Sequence, residues 1–182
     1  METVLERAED IPQDTEVKPG FTLRPARLAD AERIFALVRS HPDELVPKPM
    51  GDIVAMIDRF VVAEVGGDIA GCATYSILPE IGTAERATVE LQSVAVSGPY
   101  RRLGIGRALV ERLIGRIAAF EPAEALVLTF APGFFAKLGF EEIPKSNVMH
   151  KLYSGCLHCT KHADPFTCPE IAMARNLRKQ KG

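Results

Sequence analysis

The stretch from Ser93 to Leu109, Ser-Val-Ala-Val-Ser-Gly-Pro-Tyr-Arg-Arg-Leu-Gly-Ile-Gly-Arg-Ala-Leu, restricts the fold more than any other part of the chain. Val94-Ala95-Val96 has the apolar, β-branched character of a strand, and Ile105, Ala108 and Leu109 begin a helical stripe. Between them runs a short basic loop with Gly104 and Gly106. A helix start leaves backbone N–H groups without intrahelical partners, at the positive end of the peptide dipoles. The two glycines present no side chain that would hold a ligand off that backbone, and Arg101 and Arg102 add fixed positive charge. Such a loop suits a pyrophosphate or another polyanion. The plainer alternative is a surface connection with two incidental glycines.

Spacing narrows the ligand. A Walker-type phosphate loop needs Gly-x-x-x-x-Gly-Lys-Ser/Thr, and no lysine followed by Ser or Thr ends this loop. A dinucleotide fingerprint needs a third Gly or Ala where this chain has Leu109. It also needs an acidic residue closing the next strand, and Leu126-Val127-Leu128-Thr129-Phe130 ends without one. What remains, Arg101-x-x-Gly104-x-Gly106 behind Val94-Ala95-Val96, resembles the coenzyme A loop of the GNAT superfamily, the acetyl-CoA-dependent N-acetyltransferases.

Bulk properties set the class. One domain is expected of 182 residues, with 47% hydrophobic and 25% charged content as in ordinary soluble globular proteins. A net charge of −2 argues against nucleic acid as a partner, which needs a basic face. No apolar run approaches a membrane span, and the N-terminus lacks a basic-then-apolar signal layout, so a cytoplasmic location without membrane contact is expected. A homodimer is allowed.

Residues 1–20, rich in acidic and polar side chains and closed by Pro19-Gly20, read as a flexible lead-in. Phe21 to Pro25 reads as a strand, and Asp30 opens a helix with Ala31, Ile34, Leu37 and Val38 on one side. A second short helix carries Ile53, Met56, Ile57 and Phe60. Strands Phe60–Val65 and Asp68–Leu78 flank Gly66-Gly67, a hairpin turn that tolerates positive φ. A loop from Pro79 to Ala87 then leads to a central strand, Thr88–Val96. In that strand the apolar residues sit at odd positions Val89 and Leu91, then at even positions Val94 and Val96. Side chains alternate along a strand, so one extra residue near Gln92-Ser93, a β-bulge, would keep both sets on one face; a strand buried on both faces, where phase hardly matters, is the other reading, and polar Glu90 and Gln92 favour the bulge. Beyond the loop come a long amphipathic helix from Ile105, a strand Leu126–Phe130, a short helix bounded by Pro132 and Gly139, and a last strand candidate, Val148–Tyr153. Arg175, Arg178, Lys179 and Lys181 read as a solvated basic helix end.

The order of these elements resembles the GNAT fold over residues 21–153. Within that superfamily, Arg24-Pro25-Ala26-Arg27, Leu45-Val46-Pro47-Lys48, Gly71-Cys72-Ala73, Pro132 to Phe140, His150-Lys151 and Cys156-x-x-Cys159 with Cys168 and Glu170 to Met173 are similar to bacterial short-form N-acetylglutamate synthases. The resemblance implies an α/β (α+β) architecture: a mixed, mostly antiparallel sheet with a bulged, splayed fourth strand and helices on both faces. It also implies a Cys-containing extension, 154–182, packed on the domain.

By the same resemblance, the chain would transfer acetyl from acetyl-CoA directly to the α-amino group of glutamate, the first step of arginine synthesis. Backbone groups of Val94, Ala95 and Val96 would align the pantetheine. Amides along Arg101, Arg102, Leu103, Gly104, Ile105, Gly106 and Arg107 would hold the pyrophosphate, and Gly133, Phe134, Phe135 and Lys137 would border the thiol end. Glu90, just before the opening, is the candidate general base; a solvated strand carboxylate, or a partner for Arg86, is the other reading. The family commonly places a tyrosine acid where this chain has Phe135, which leaves the acid unassigned. An amino-acid carboxylate wants a cationic partner, for which Lys48 is the first choice, with Arg24 and Arg86 next; Arg24 could instead pair with Asp30. Other small amines, a protein N-terminus, or a non-catalytic CoA-binding role stay open. Cys156, Cys159 and Cys168 with His162 could supply a zinc set; reduced thiols or a Cys–Cys bridge are equally open.

Overall fold

A computed structural model describes residues 16–80, 83–154, 156, 159, 161–162 and 164–178; the side chains of 79, 80, 83–86, 153 and 154 lie outside that description. Its strands are β1 (Glu16–Lys18), β2 (Phe21–Pro25), β3 (Val61–Val65), β4 (Asp68–Glu80), β5 (Thr83–Val96), β6 (Glu124–Thr129), β7 (Glu141–Glu142) and β8 (Ile171–Asn176). The helices are α1 (Ala31–Arg39), α2 (Met50–Ala55), α3 (Ile105–Ala118), α4 (Pro132–Ala136) and α5 (Met149–Ser154). Among the described residues the strands form one sheet in the order β1-β2-β3-β4-β5-β6-β8-β7. Every pairing is antiparallel except that of β5 with β6.

The bulge lies where the phase of β5 changes. Cys72 pairs with Ala95 and Thr74 with Gln92, so two steps along β4 face three along β5, and Ser93 takes a φ of 52°. Val89, Leu91, Val94 and Val96 consequently all join the cluster packed against α3. Glu90 and Gln92 turn to the opposite face, with Ala95 packed among the side chains of α1 and α2. The Cys72 thiol, pushed up to about 12 by complete burial, donates to the Ser93 carbonyl at 3.6 Å and so caps the bulge.

Ile105, Leu109, Leu113 and Ile117 form the buried stripe of α3. Burial of such side chains contributes about 1.5–3 kcal/mol each. Gly71 on β4 permits the close approach: a Cβ there would lie 2.8 Å from Ile105 Cγ2 and 3.0 Å from the Ala95 carbonyl oxygen. The face opposite α3 carries α1, α2 and α5.

Five sequence expectations need correction. Residues 148–153 are not a strand: Val148 ends a 3-10 turn and α5 follows, because Val148 and Leu152, one helical turn apart, both bury. The last strand is instead β8, which pairs along all six residues of β6, so Arg175 and Arg178 do not end a helix, while Lys179 and Lys181 lie outside the described residues; Arg175 donates to the Leu138 carbonyl at 3.0 Å. The Cys-bearing stretch is thus a long excursion between β7 and β8, anchored in the sheet at both ends, rather than a terminal extension. The presumed loop 79–87 is largely strand: Glu80 pairs with Thr83, with an irregularity between Leu78 and Glu80 where Pro79 has no N–H to give. Finally, Glu16–Lys18 leaves the lead-in and pairs with β2, which makes the bulged strand fifth rather than fourth.

Candidate active site

The opening in the sheet follows from two pairings. β5 and β6 run side by side only at Val89–Ala125 and Glu90–Leu126, and beyond Glu90 the two strands part. The bulge begins two residues later, twisting β5 away from its neighbour. The cleft is bounded by Gln92 to Val96 on one side and by the C-terminal end of β6 on the other.

At the end of β5 the chain passes through a 3-10 turn (Gly98–Tyr100) into α3. Gly104 caps that helix at φ 80° without a side-chain hydrogen bond, and Arg102 has a φ of 70°. The first intrahelical bond runs from Ala108 N–H to the Gly104 carbonyl at 3.0 Å, so the amides of Ile105 to Arg107 precede the ladder. Nothing lies within 4 Å of where a Gly104 Cβ would stand, and its conformation is what selects glycine. Gly106 has a different reason: a Cβ would come within 3.3 Å of the Phe134 ring, so glycine lets α4 close on the start of α3. Arg101, Arg102, Leu103 and Arg107 are exposed around this turn. Arg101 reaches Glu44 at 3.1 Å, and Arg107 bonds the Lys137 carbonyl at 3.2 Å. The buried Ile105 side chain belongs to the core and leaves only main chain for a ligand. Phe135 likewise packs edge-on to Phe134 and Phe140 in the core, while Gly133 and Lys137 are exposed.

A buried histidine, unremarked in the sequence, steadies this wall. His41, at the end of α1, has Nδ1 2.9 Å from the Leu37 carbonyl and Nε2 3.0 Å from the Val96 carbonyl. With Nε2 as the N–H donor, the ring ties α1 to the strand segment next to the cleft. Ser40 Oγ donates to the Leu37 carbonyl at 2.7 Å and lies 3.1 Å from Nδ1.

On the other face a chain of polar groups crosses β5. Lys48 Nζ donates to Gln92 Oε1 at 2.8 Å, the Gln92 amide donates to Glu90 Oε2 over a very short distance, and Lys151 Nζ lies 2.7 Å from the same carboxylate oxygen. The Glu90 side chain is only 5% exposed, so a charge there requires this company. One residue pair along, Thr88 Oγ1 meets His150 Nε2 at 2.8 Å. Burial holds the Lys48 ammonium below the ordinary lysine range, with the like charge of Lys151 adding to it and Glu90 opposing. Burial also pushes the Glu170 carboxyl up, toward its neutral form. Lys48 and Lys151 thus flank the Glu90 carboxylate, with Asp52 acting on Lys48 and Glu170 on Lys151. Lys151 and Gln92 were missed as site residues: Lys151 was legible only if 148–153 had been read as helical, with Val148 and Leu152 inward.

Arg24 does not reach this group. It bonds Asp30 at 2.7 and 3.0 Å and Glu64 at 2.8 Å, tying β2 to the start of α1 and to β3. Arg86 lies on β5, but its side chain is outside the described residues. The zinc expectation is not met: among the described residues no three His, Cys, Asp or Glu side chains come together as a metal set. Cys156 sits near Lys151, Glu170 and Glu90, Cys168 donates to Glu170 at 3.7 Å, and His162 packs on Phe130 with ring centroids 6.2 Å apart. All three cysteines are free thiols, and burial pushes those of Cys156 and Cys168 up, away from the thiolate a metal binds. No helix among the described residues is long and apolar enough to cross a membrane.

Comparison with known proteins agrees with this geometry. The sequence profile of the acetyltransferase (GNAT) family matches residues 28–140. An uncharacterized N-acetyltransferase of Chlorobaculum tepidum is 33% identical over 157 residues, covering 85% of this chain and 96% of the relative. An amino-acid acetyltransferase of Mycobacterium tuberculosis is 30% identical over 136 residues, 72% of this chain and 74% of the relative. Among solved structures, a Mycobacterium tuberculosis protein in complex with CoA and NLQ superposes with a TM-score of 0.70 at 26% identity, covering 86% of this chain and 99% of that one. The N-acetylglutamate synthase of Neisseria gonorrhoeae, solved with coenzyme A and N-acetyl-glutamate, shares the fold with a TM-score of 0.71 at 20% identity. That match covers 90% of this chain but 36% of the synthase, so the chain spans about a third of that enzyme's length. A bulged and parted central strand, an uncapped glycine-led helix start beside it, and a family profile spanning both identify the chain as a member of the GNAT family of acetyltransferases.

Proposed function

We propose that this acetyltransferase uses acetyl-CoA to acetylate the α-amino group of a free amino acid, with glutamate as the leading acceptor. The observation that carries this reading is the line Lys48–Gln92–Glu90–Lys151 beside the parted strands. An acceptor carboxylate finds an ammonium partner in Lys48, and the acceptor's own ammonium group must lose a proton, which Glu90 is placed to take, before the amine can attack. The amino-acid acetyltransferase and N-acetylglutamate synthase among the similar proteins support the same acceptor class.

In this reading the amides of Ile105, Gly106 and Arg107, with Arg101 and Arg102, hold the diphosphate at the positive end of α3. Arg101 exchanges Glu44 for phosphate when the ligand arrives. Main-chain groups of Val94 and Val96, fixed by the bulge and by His41, orient the pantetheine arm toward the cleft. Glu90 accepts the acceptor's proton through a water, with Gln92 and Lys151 holding the carboxylate in position. Lys48 meets the acceptor carboxylate.

The experiment is an acceptor screen read by free thiol release, with glutamate, glutamine, aspartate and ornithine side by side. Glutamate is expected to be turned over best; turnover confined to ornithine would reverse the electrostatic argument. Lys48→Ala is expected to raise the glutamate KM about 10–100-fold, the loss of one charge-assisted hydrogen bond, with little change in the acetyl-CoA KM. Equal effects on both substrates would remove Lys48 from the acceptor pocket. Because burial lowers the Lys48 pKa, its ammonium is lost on the alkaline side sooner than that of a free lysine. The glutamate KM should therefore climb as pH rises, and that climb should vanish in Lys48→Ala.

A further inference from the structure

We infer that Lys161 is a specificity-determining residue that limits the acceptor to a single amino acid and excludes a peptide or protein N-terminus. The inference rests on the amino-acid reading above and deepens it. Three pieces of chain surround the polar line on the α1 face: the segment from Pro42 to Lys48 between α1 and α2, α5 beneath Glu90, and the excursion between β7 and β8. Lys161 joins the first and last of these. Its ammonium donates to the Pro42 carbonyl at 2.8 Å and to the Asp43 carbonyl at 2.9 Å. The same nitrogen stands 4.6 Å from the centre of the Phe130 ring, immediately beyond β6 at the parted strands. Two carbonyl acceptors and a π face use the donors and the charge of one ammonium, so the side chain is committed as a tie.

The ends of the tie are themselves held. The Lys161 N–H bonds Cys159 Sγ at 3.4 Å, and Cys159 N–H closes a turn onto the Cys156 carbonyl at 3.1 Å. Farther along the excursion, Lys145 Nζ bonds the Pro165 carbonyl at 3.0 Å and also the Cys168 carbonyl. On the opposite rim, the amides of Glu44 and Leu45 bond the His41 carbonyl at 3.2 and 3.0 Å, and Glu44 pairs with Arg101. A peptide whose amine reaches the cleft must carry its second and third residues out between these rims, extending about 3.3–3.6 Å per residue. On this inference the Lys161 bridge, which joins the two rims, closes that exit. A free amino acid, which ends at its own carboxylate, needs no exit and can leave that carboxylate to Lys48.

The test compares glutamate with the tripeptide Glu-Ala-Ala as acceptors for the full chain and for Lys161→Gln, again by thiol release. The wild-type protein is expected to prefer glutamate by at least about 100-fold in kcat/KM, and Lys161→Gln to reduce that preference at least about tenfold by gaining peptide turnover. Thermal unfolding of both proteins and the acetyl-CoA KM show that the variant keeps its fold and its cofactor site. If it does not fold, Lys161→Arg, which keeps the charge and reach, should retain the preference. Wild-type turnover of both acceptors within about threefold, or an unchanged preference in Lys161→Gln, overturns the tie and leaves the amino-acid reading intact. Turnover of the tripeptide without any free amino acid, or of neither acceptor class, overturns the amino-acid reading and this inference with it.

Discussion

Glu90→Gln is expected to lower kcat by about 10²–10⁴-fold, the range for removing a positioned general base, while leaving the acetyl-CoA KM nearly unchanged. Glutamine keeps the shape of the side chain, and its carbonyl oxygen still accepts a hydrogen bond from Lys151. What it cannot do is take a proton. The change is better suited than alanine, which would leave the largely buried Lys151 ammonium without its carboxylate. A stopped assay at saturating glutamate, with the melting temperature measured alongside, separates lost chemistry from lost fold. Activity within threefold of wild type would mean that another group or solvent accepts the proton, and that Glu90 only organises Lys151 and Gln92.

The largest effect on stability is expected at Arg24. Its guanidinium and the Asp30 carboxylate are 14% and 7% exposed, and one arginine serves both Asp30 and Glu64. Arg24→Met strands the Asp30 carboxylate beside apolar side chains of α1, at a cost of about 3–5 kcal/mol. For a chain of this size that is a fall of roughly 6–20 °C in melting temperature. The Arg24 guanidinium, together with the Arg27 amide, holds the Asp30 carboxyl below the ordinary aspartate range. The stability this carboxylate contributes is therefore complete above the normal aspartate pKa and lost as pH falls through its lowered folded value. A chemical denaturation series should show the Arg24→Met deficit at neutral pH shrinking in strong acid. A loss below about 1 kcal/mol at neutral pH would mean that solvent enters and replaces the guanidinium.

These two residues also mark what the sequence could and could not reveal. Glu90 and Lys48 stand out as candidates because one precedes a break in strand phase and the other sits between two prolines, local signals that need no tertiary knowledge. Arg24 carried two readings of equal standing, and its bidentate pairing with Asp30, joined by Glu64 from β3, decides between them. The phase change in β5 predicted both the bulge and the common face of Val89, Leu91, Val94 and Val96, because a two-residue period cannot hide an insertion. The region after Gly139 was misread for the opposite reason. Val148 to Tyr153 is too short for its periodicity to discriminate, and in β8 only Ile171 has strong β propensity, the rest being Ala, Met, Ala, Arg and Asn. β8 forms because β6 offers it a full edge. The cysteine spacing suggested a metal for want of that topology: in the excursion Cys156 lies near Lys151 and Glu170, and Cys168 donates to Glu170.

The account depends on main-chain amides at the start of α3 taking hold of a diphosphate. Titration calorimetry with CoA, dephospho-CoA and pantetheine addresses this directly, since only the first two carry that group. Dephospho-CoA is expected to bind within about tenfold of CoA, and pantetheine at least about 100-fold more weakly, as several charge-assisted hydrogen bonds are lost together. Pantetheine binding as tightly as CoA, or no heat from CoA at all, would contradict the assignment.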